Sequence, residues 1–125
     1  MITNFENETQ PLTPSELKLA RLVANIIRNH TKAKPIFSQQ LQAEVHWNTA
    51  VDINVTQVRL RAIIHYLRCN EKLPIIATSR GYYFTDDVNE IRKQSKSLKE
   101  RAMSIRMVAA AFDEMETTLM TKSHE

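Results

Sequence analysis

The sequence predicts a mainly α protein with a small β-hairpin, an α+β fold in which three helices and the hairpin precede one long C-terminal helix. Apolar residues recur at helical spacing in four segments, two short apolar runs flank the only glycine, and 125 residues suffice for one core and one appended element. We therefore expect a disordered leader over residues 1–12, a folded domain over 13–85, a helix over 86–120 and a frayed tail over 121–125.

The amino-acid composition excludes several classes of protein. A single glycine excludes the glycine-rich phosphate loops of P-loop enzymes and dinucleotide-binding folds. Cys69 is the only cysteine, so it forms neither an internal disulfide nor a paired-cysteine zinc site, and a cytoplasmic location is expected. Residues 1–10 carry no basic side chain, unlike a signal peptide, and no apolar run approaches the roughly 18 residues of a membrane span.

The first helix is predicted to begin after Thr13. Thr13 can cap the helix, Pro14 suits its first position, and Glu16 completes a capping box. Its buried face is marked by Leu19, Leu22, Val23, Ile26 and Ile27. The helix should end near Asn29 or His30.

A shorter second helix is predicted from Ser38, acting as its cap, to about His46. Its inward-facing residues would be Leu41 and Val45. Residues 36–37 favour a short strand before this helix, and residues 47–53 form the connection to the next one.

The third helix has the clearest pattern of the domain and is predicted to run from a cap at Asn54 to about Cys69. Its buried stripe comprises Leu60, Ile63, Ile64 and Leu67. The opposite face, with Arg59 at its flank, comprises Gln57, Arg61, His65 and Arg68. This face carries potential cations and no carboxylate.

A β-hairpin is predicted over residues 75–84. Pro74 prevents the third helix from continuing, and the strands 75–78 and 82–84 flank a turn that contains Gly81. We expect a positive φ at Gly81, because other residues resist that conformation.

Asp86 or Asp87 can cap a final helix of about thirty residues. Its alternating spacings of three and four form a coiled-coil seam with two polar interruptions, made of Val88, Ile91, Ser95, Leu98, Ala102, Ile105, Ala109, Phe112, Glu116 and Leu119. Part of this helix is expected to pack on the first helix and part on another copy of the chain, which predicts a homodimer.

Positive charge is concentrated in one stretch of the chain. The formal net charge is +3. Residues 54–81 hold five basic side chains and one acidic side chain, whereas residues 86–125 hold seven basic and eight acidic ones. A polyanion would therefore contact the stretch 54–81 first.

The element order, together with the segments 58–68, 74–78 and 80–84, resembles the winged-helix version of the helix-turn-helix. It is similar to small bacterial or phage-encoded winged-helix regulators with a helical C-terminal extension. The resemblance implies a cytoplasmic double-stranded DNA-binding protein, a small transcriptional or replication accessory factor. It also implies that helix 54–69 lies in the major groove and that hairpin 75–84 acts as the wing.

By this resemblance, the DNA-contacting residues are Asn54, Gln57, Arg59, Arg61, His65 and Arg68 on the helix and Arg80 on the wing. Their chemistry agrees independently, because an arginine fork suits guanine or phosphate and an amide such as that of Gln57 can read adenine.

A second function stays open, in which the same fold docks on a protein partner such as a polymerase and binds no nucleic acid. His65 and Cys69 have a metal-compatible spacing, but no second ligand pair is near them in the sequence, so no metal is expected. No nucleophile–base pair or paired carboxylates stand out. We therefore expect no enzymatic activity, no cofactor and no small-molecule ligand.

Overall fold

The computed structural model describes residues 10–48 and 55–123. The elements are helices α1 (Pro14–Arg28), α2 (Ser38–Trp47) and α3 (Gln57–Cys69), strands β1 (Ile75–Thr78) and β2 (Gly81–Phe84), and helix α4 (Val88–Ser123). This confirms the predicted α+β class, with mostly helices, one hairpin and a long last helix. The chain divides between Asp86 and Asp87 into two compact units, the N-terminal unit and the C-terminal unit.

Helix α1 starts as its sequence predicts. The Thr13 hydroxyl accepts a hydrogen bond from the Glu16 backbone N–H at 3.2 Å, and the Glu16 carboxylate accepts one from the Thr13 N–H at 2.9 Å. This reciprocal capping box satisfies two backbone donors that the first turn leaves without helical partners.

The caps of α2 and α3 differ from the prediction by one and two residues respectively. Phe37 occupies the cap position of α2, so Ser38 is the first helical residue and not the cap. Thr56 caps α3, because its hydroxyl accepts from the Arg59 N–H at 3.2 Å. The predicted helix start at Asn54 was therefore wrong, and Asn54 itself lies outside the described residues.

The core of the N-terminal unit is formed where α1, α2, α3 and the hairpin converge. Its fully buried large side chains are Val23, Ile27, Ile36, Leu41, Val45, Leu60, Ile63 and Leu67. All four residues of the predicted stripe on α3 are buried. Each such side chain contributes roughly 1.5–3 kcal/mol of transfer free energy relative to an exposed position.

Strands β1 and β2 pair antiparallel, with Ile75 opposite Phe84 and Thr78 opposite Gly81. The predicted short strand at 36–37 is reduced to a single bridge, in which Ile36 and Tyr82 exchange backbone hydrogen bonds of 2.9 and 2.8 Å. Gly81 has the expected positive φ of 122°, and a Cβ there would lie 2.1 Å from the Ile36 carbonyl oxygen. Glycine is therefore required by the close approach of the backbone as well as by the turn.

The disordered leader was predicted over residues 1–12, and this range is too long at its C-terminal end. Leu12 packs against the core, and the carbonyls of Gln10 and Pro11 accept hydrogen bonds at 3.2 Å from Arg59. Residues 10–12 therefore belong to the N-terminal unit.

Helix α4 begins after Asp87, whose carboxylate accepts from the Asn89 N–H at 2.8 Å. It spans 36 residues and none of them is buried. The predicted frayed tail is corrected at residues 121–123, which are helical. The side chains of Thr121 and Ser123 donate to carbonyls of the preceding turn. No helix in the described part of the chain has the length and apolarity needed to cross a membrane.

Candidate nucleic-acid interface

The outer side of α3 carries most of the residues of the predicted interface. Burial of Leu60, Ile63 and Leu67 fixes the inner side of this helix. Arg61 and His65, one turn apart, are consequently exposed, whereas Gln57, Arg59 and Arg68 are half-buried. Of the predicted contact residues on α3 that the structure describes, two are therefore exposed and three are half-buried.

Arg59 points toward α1. Its Nε lies 2.6 Å from Glu16 Oε2 and its Nη2 lies 2.7 Å from Oε1, which makes a two-point ion pair between α3 and α1. Hydrogen bonding from the Arg59 guanidinium lowers the pKa of Glu16, and hydrogen bonding to Glu16 raises the pKa of Arg59. Because an acidic side chain holds this guanidinium, we remove Arg59 from the candidate interface.

Gln57 joins α3 to α2. Its amide nitrogen donates to the side-chain oxygen of Gln42 at 2.6 Å and to the Ser38 carbonyl at 3.2 Å. Gln42 in turn donates to the Val55 carbonyl, just before α3. The amide that was expected to read a base is therefore part of the packing between the two helices.

Arg68 joins the end of α3 to the hairpin. Its Nε donates to the Ile75 carbonyl at 2.9 Å, and its side chain is half-buried. At this point of α3 the polar face has turned toward β1, so we also leave Arg68 out of the candidate interface.

Arg80 lies at the tip of the hairpin, as predicted, and is exposed. Thr78 shapes this tip, because its hydroxyl accepts from the Arg80 N–H and donates to the Gly81 carbonyl, both at 3.1 Å. These bonds fix the backbone that carries Arg80 without engaging its guanidinium.

His65 and Cys69 lie on consecutive turns, with the ring Nε2 and the sulfur 3.7 Å apart. Within residues 10–48 and 55–123, no three side chains of His, Cys, Asp or Glu are grouped to hold a metal ion.

A groove beside the hairpin was not predicted from the sequence. It separates the start of α2 from the hairpin tip and is lined by Phe37, Ser38 and Gln39 on one side and by Thr78 and Ser79 on the other. These residues are 39 or more positions apart, so no local pattern brings them together.

The first half of α4 is a second basic surface that the sequence analysis missed. Residues 92–106 contain six basic side chains and one acidic side chain, and all six basic ones are exposed. Counting charge over the whole of 86–125 concealed this segment, because the acidic residues on either side of it, at positions 86, 87, 90, 113, 114, 116 and 125, cancel its charge. A count over a shorter window would have found it.

No protein-family model, curated protein or solved structure matches this chain. The resemblance to winged-helix proteins therefore stays a prediction from the element order and the sequence segments.

Proposed function

We propose that the N-terminal unit is a winged-helix module that binds double-stranded DNA, with α3 in the major groove and the β1–β2 hairpin as the wing. One observation carries the proposal. The outer side of α3 exposes Arg61 and His65, and α3 contains no acidic residue that would repel phosphate. A transcriptional or replication accessory role in the cytoplasm fits this function.

The two exposed residues suit different parts of a duplex. Arg61 presents a planar fork that matches the O6 and N7 atoms of guanine or two phosphate oxygens. His65, one turn further along, offers ring nitrogens to a base edge or a phosphate. Arg80, carried on the separate hairpin, would contact the backbone or the minor groove and fix the orientation of the protein.

The half-buried polar residues support the same function indirectly. Arg59, Gln57 and Arg68 attach α3 to α1, α2 and β1 respectively. A recognition helix that is held on three sides keeps its exposed residues in a fixed geometry, which lowers the entropic cost of binding.

Fluorescence anisotropy with labelled duplexes from mixed genomic fragments tests the proposal. We expect binding whose affinity falls steeply with salt, and we expect Arg61→Ala to weaken it and to lower the salt slope by roughly one if Arg61 contacts a phosphate. The double variant Arg61→Ala with Arg80→Ala should bind more weakly than either single variant.

Lys122→Ala is the charge-matched control, because it removes one exposed cation near the end of α4. It should retain the affinity of the unchanged protein. Full affinity of the Arg61/Arg80 double variant would contradict the proposal.

The alternative is a protein-interaction module, and one observation favours it. Trp47 at the end of α2 is 83% exposed, and large exposed aromatic residues are enriched in protein interfaces. This function predicts no retention of duplex at low salt, so the same titration separates the two proposals.

A further inference from the structure

Helix α4 exposes an apolar stripe with a strict repeat. Ile91, Leu98, Ile105, Phe112 and Leu119 are all exposed, and each follows the previous one by seven residues. A second row with the same interval runs beside them and consists of Val88, Ser95, Ala102, Ala109 and Glu116. A seven-residue repeat in two adjacent rows is the pattern that keeps one helix in continuous contact with another.

The sizes of the seam residues distinguish between the two possible orientations of a paired helix. In a parallel pair each residue meets its own copy, so Ala102 and Ala109 would leave gaps and the two Glu116 carboxylates would repel each other. In an antiparallel pair centred between residues 105 and 109, Ile105 faces the partner's Ala109 and Phe112 faces the partner's Ala102. Large residues then meet small ones, which fills the space between the helices.

The charges of α4 favour the same orientation. Residues 92–106 contain six basic side chains and one acidic one, whereas residues 107–123 contain three acidic side chains and one basic one. A parallel pair would place the basic halves side by side. An antiparallel pair places each basic half beside an acidic half, and in this register Lys99 lies next to the partner's Asp113.

We propose that α4 binds a second copy of this chain as an antiparallel coiled coil centred between Ile105 and Ala109. The pairing does not depend on DNA binding. At 1.5 Å per residue the helix is about 54 Å long, so the two copies of α4 begin at opposite ends of the coiled coil. If each N-terminal unit also binds DNA, the dimer is suited to joining two separate duplex segments.

Sedimentation equilibrium of the full chain over a wide concentration range tests the pairing. We expect a species of twice the 14.5 kDa chain mass. Ile105→Glu places a charge in the seam and should weaken the dimer by at least about tenfold. Met107→Glu is the matched control. Met107 is 68% exposed and Ile105 is 69% exposed, but Met107 lies on the side of α4 that faces away from the seam. It should leave the dimer unchanged.

Ile105→Glu could weaken the dimer simply by disturbing helix α4. Exchanging the charges at two positions distinguishes that effect from a lost contact between chains. Lys99→Glu should weaken the dimer, and adding Asp113→Lys should restore it. The two positions are 14 residues, or about 21 Å, apart in one helix, so recovery has to come from contacts between chains.

Carbodiimide coupling of lysine to carboxylate, performed on a mixture of ¹⁵N-labelled and unlabelled chains, tests the orientation. We expect hybrid peptides that join Lys99 to Asp113. A monomer at all concentrations, a dimer that Ile105→Glu does not weaken, or a dimer without the Lys99–Asp113 hybrid would each overturn the proposal.

Discussion

Helices α1 and α4 both have one apolar side, yet they use it differently. Helix α1 buries Leu19, Val23 and Ile27 in the core of the N-terminal unit, whereas α4 leaves Ile105 and Phe112 exposed. The difference shows that a helical apolar pattern predicts a face that needs a partner but does not say where the partner comes from. In α1 the partner is within the same unit, and for α4 we propose a second chain.

Of the changes that test this contrast between α1 and α4, truncation of a core side chain should cause the largest loss of stability. Leu19→Ala should lower the free energy of unfolding of the N-terminal unit by about 3 kcal/mol, because a 4% exposed leucine leaves a cavity when it is truncated. Urea denaturation followed by circular dichroism measures the loss. Leu17→Ala, at a 44% exposed position of the same helix, and Leu119→Ala in α4 should each change it by less than about 0.5 kcal/mol. Equal losses in all three variants would refute the contrast.

Disrupting the backbone contact between Gly81 and Ile36 should cause the next largest loss of stability. Gly81→Ala forces a side chain into a positive-φ position and against the Ile36 carbonyl, so we expect a loss of about 2 kcal/mol. Hydrogen exchange should show faster exchange of the Ile36 and Tyr82 amides, which bond across this contact. Ser79→Ala in the same turn is the control, and comparable acceleration in that variant would show that the close approach is unimportant.

The ion pair between Glu16 of α1 and Arg59 of α3 is a further contact that α1 makes within its own unit. Its contribution to stability should depend on pH. Glu16→Gln keeps a capping-box side chain but removes the charge, and we expect it to cost about 1 kcal/mol at neutral pH. Because Arg59 lowers the pKa of Glu16 in the folded state, the contribution is complete above the ordinary glutamate value of 4.5. It disappears as pH falls through the lowered value. Urea midpoints of both proteins, measured from neutral to acid pH, should converge in acid, and a constant difference would contradict this assignment.

The smallest effect is expected from removing most of α4. A chain that ends at Ser95 should keep the unfolding free energy of its N-terminal unit within about 0.5 kcal/mol, because none of the deleted residues that the structure describes is buried. Thermal unfolding of this shortened chain should not vary with protein concentration, whereas that of the full chain should. Loss of cooperative unfolding on truncation would show that α4 contributes to the core.

The sequence predicted features whose causes are local. The capping box joins Thr13 and Glu16, which are three positions apart. A lone glycine between two apolar runs indicates a turn with a positive φ, which Gly81 adopts. The start of α3 was misplaced because Asn54 and Thr56 are both residue types that cap helices well, and the structure has Thr56 in that position.

The candidate site was predictable only in part, because long-range contacts decide which polar residues stay exposed. The Arg59–Glu16 pair joins residues 43 positions apart, and the Gln57–Gln42 bond joins residues 15 positions apart. Periodicity assigned Gln57 and Arg68 to the outer face together with Arg61. The packing of α2 and β1 against the two ends of α3 left Arg61 and His65 exposed.

The attachment of α3 at three points has a thermodynamic consequence for whatever binds it. A ligand of α3 meets a surface that is already assembled, so association should not require coupled folding. Its heat-capacity change in titration calorimetry should then match the area of the contact alone.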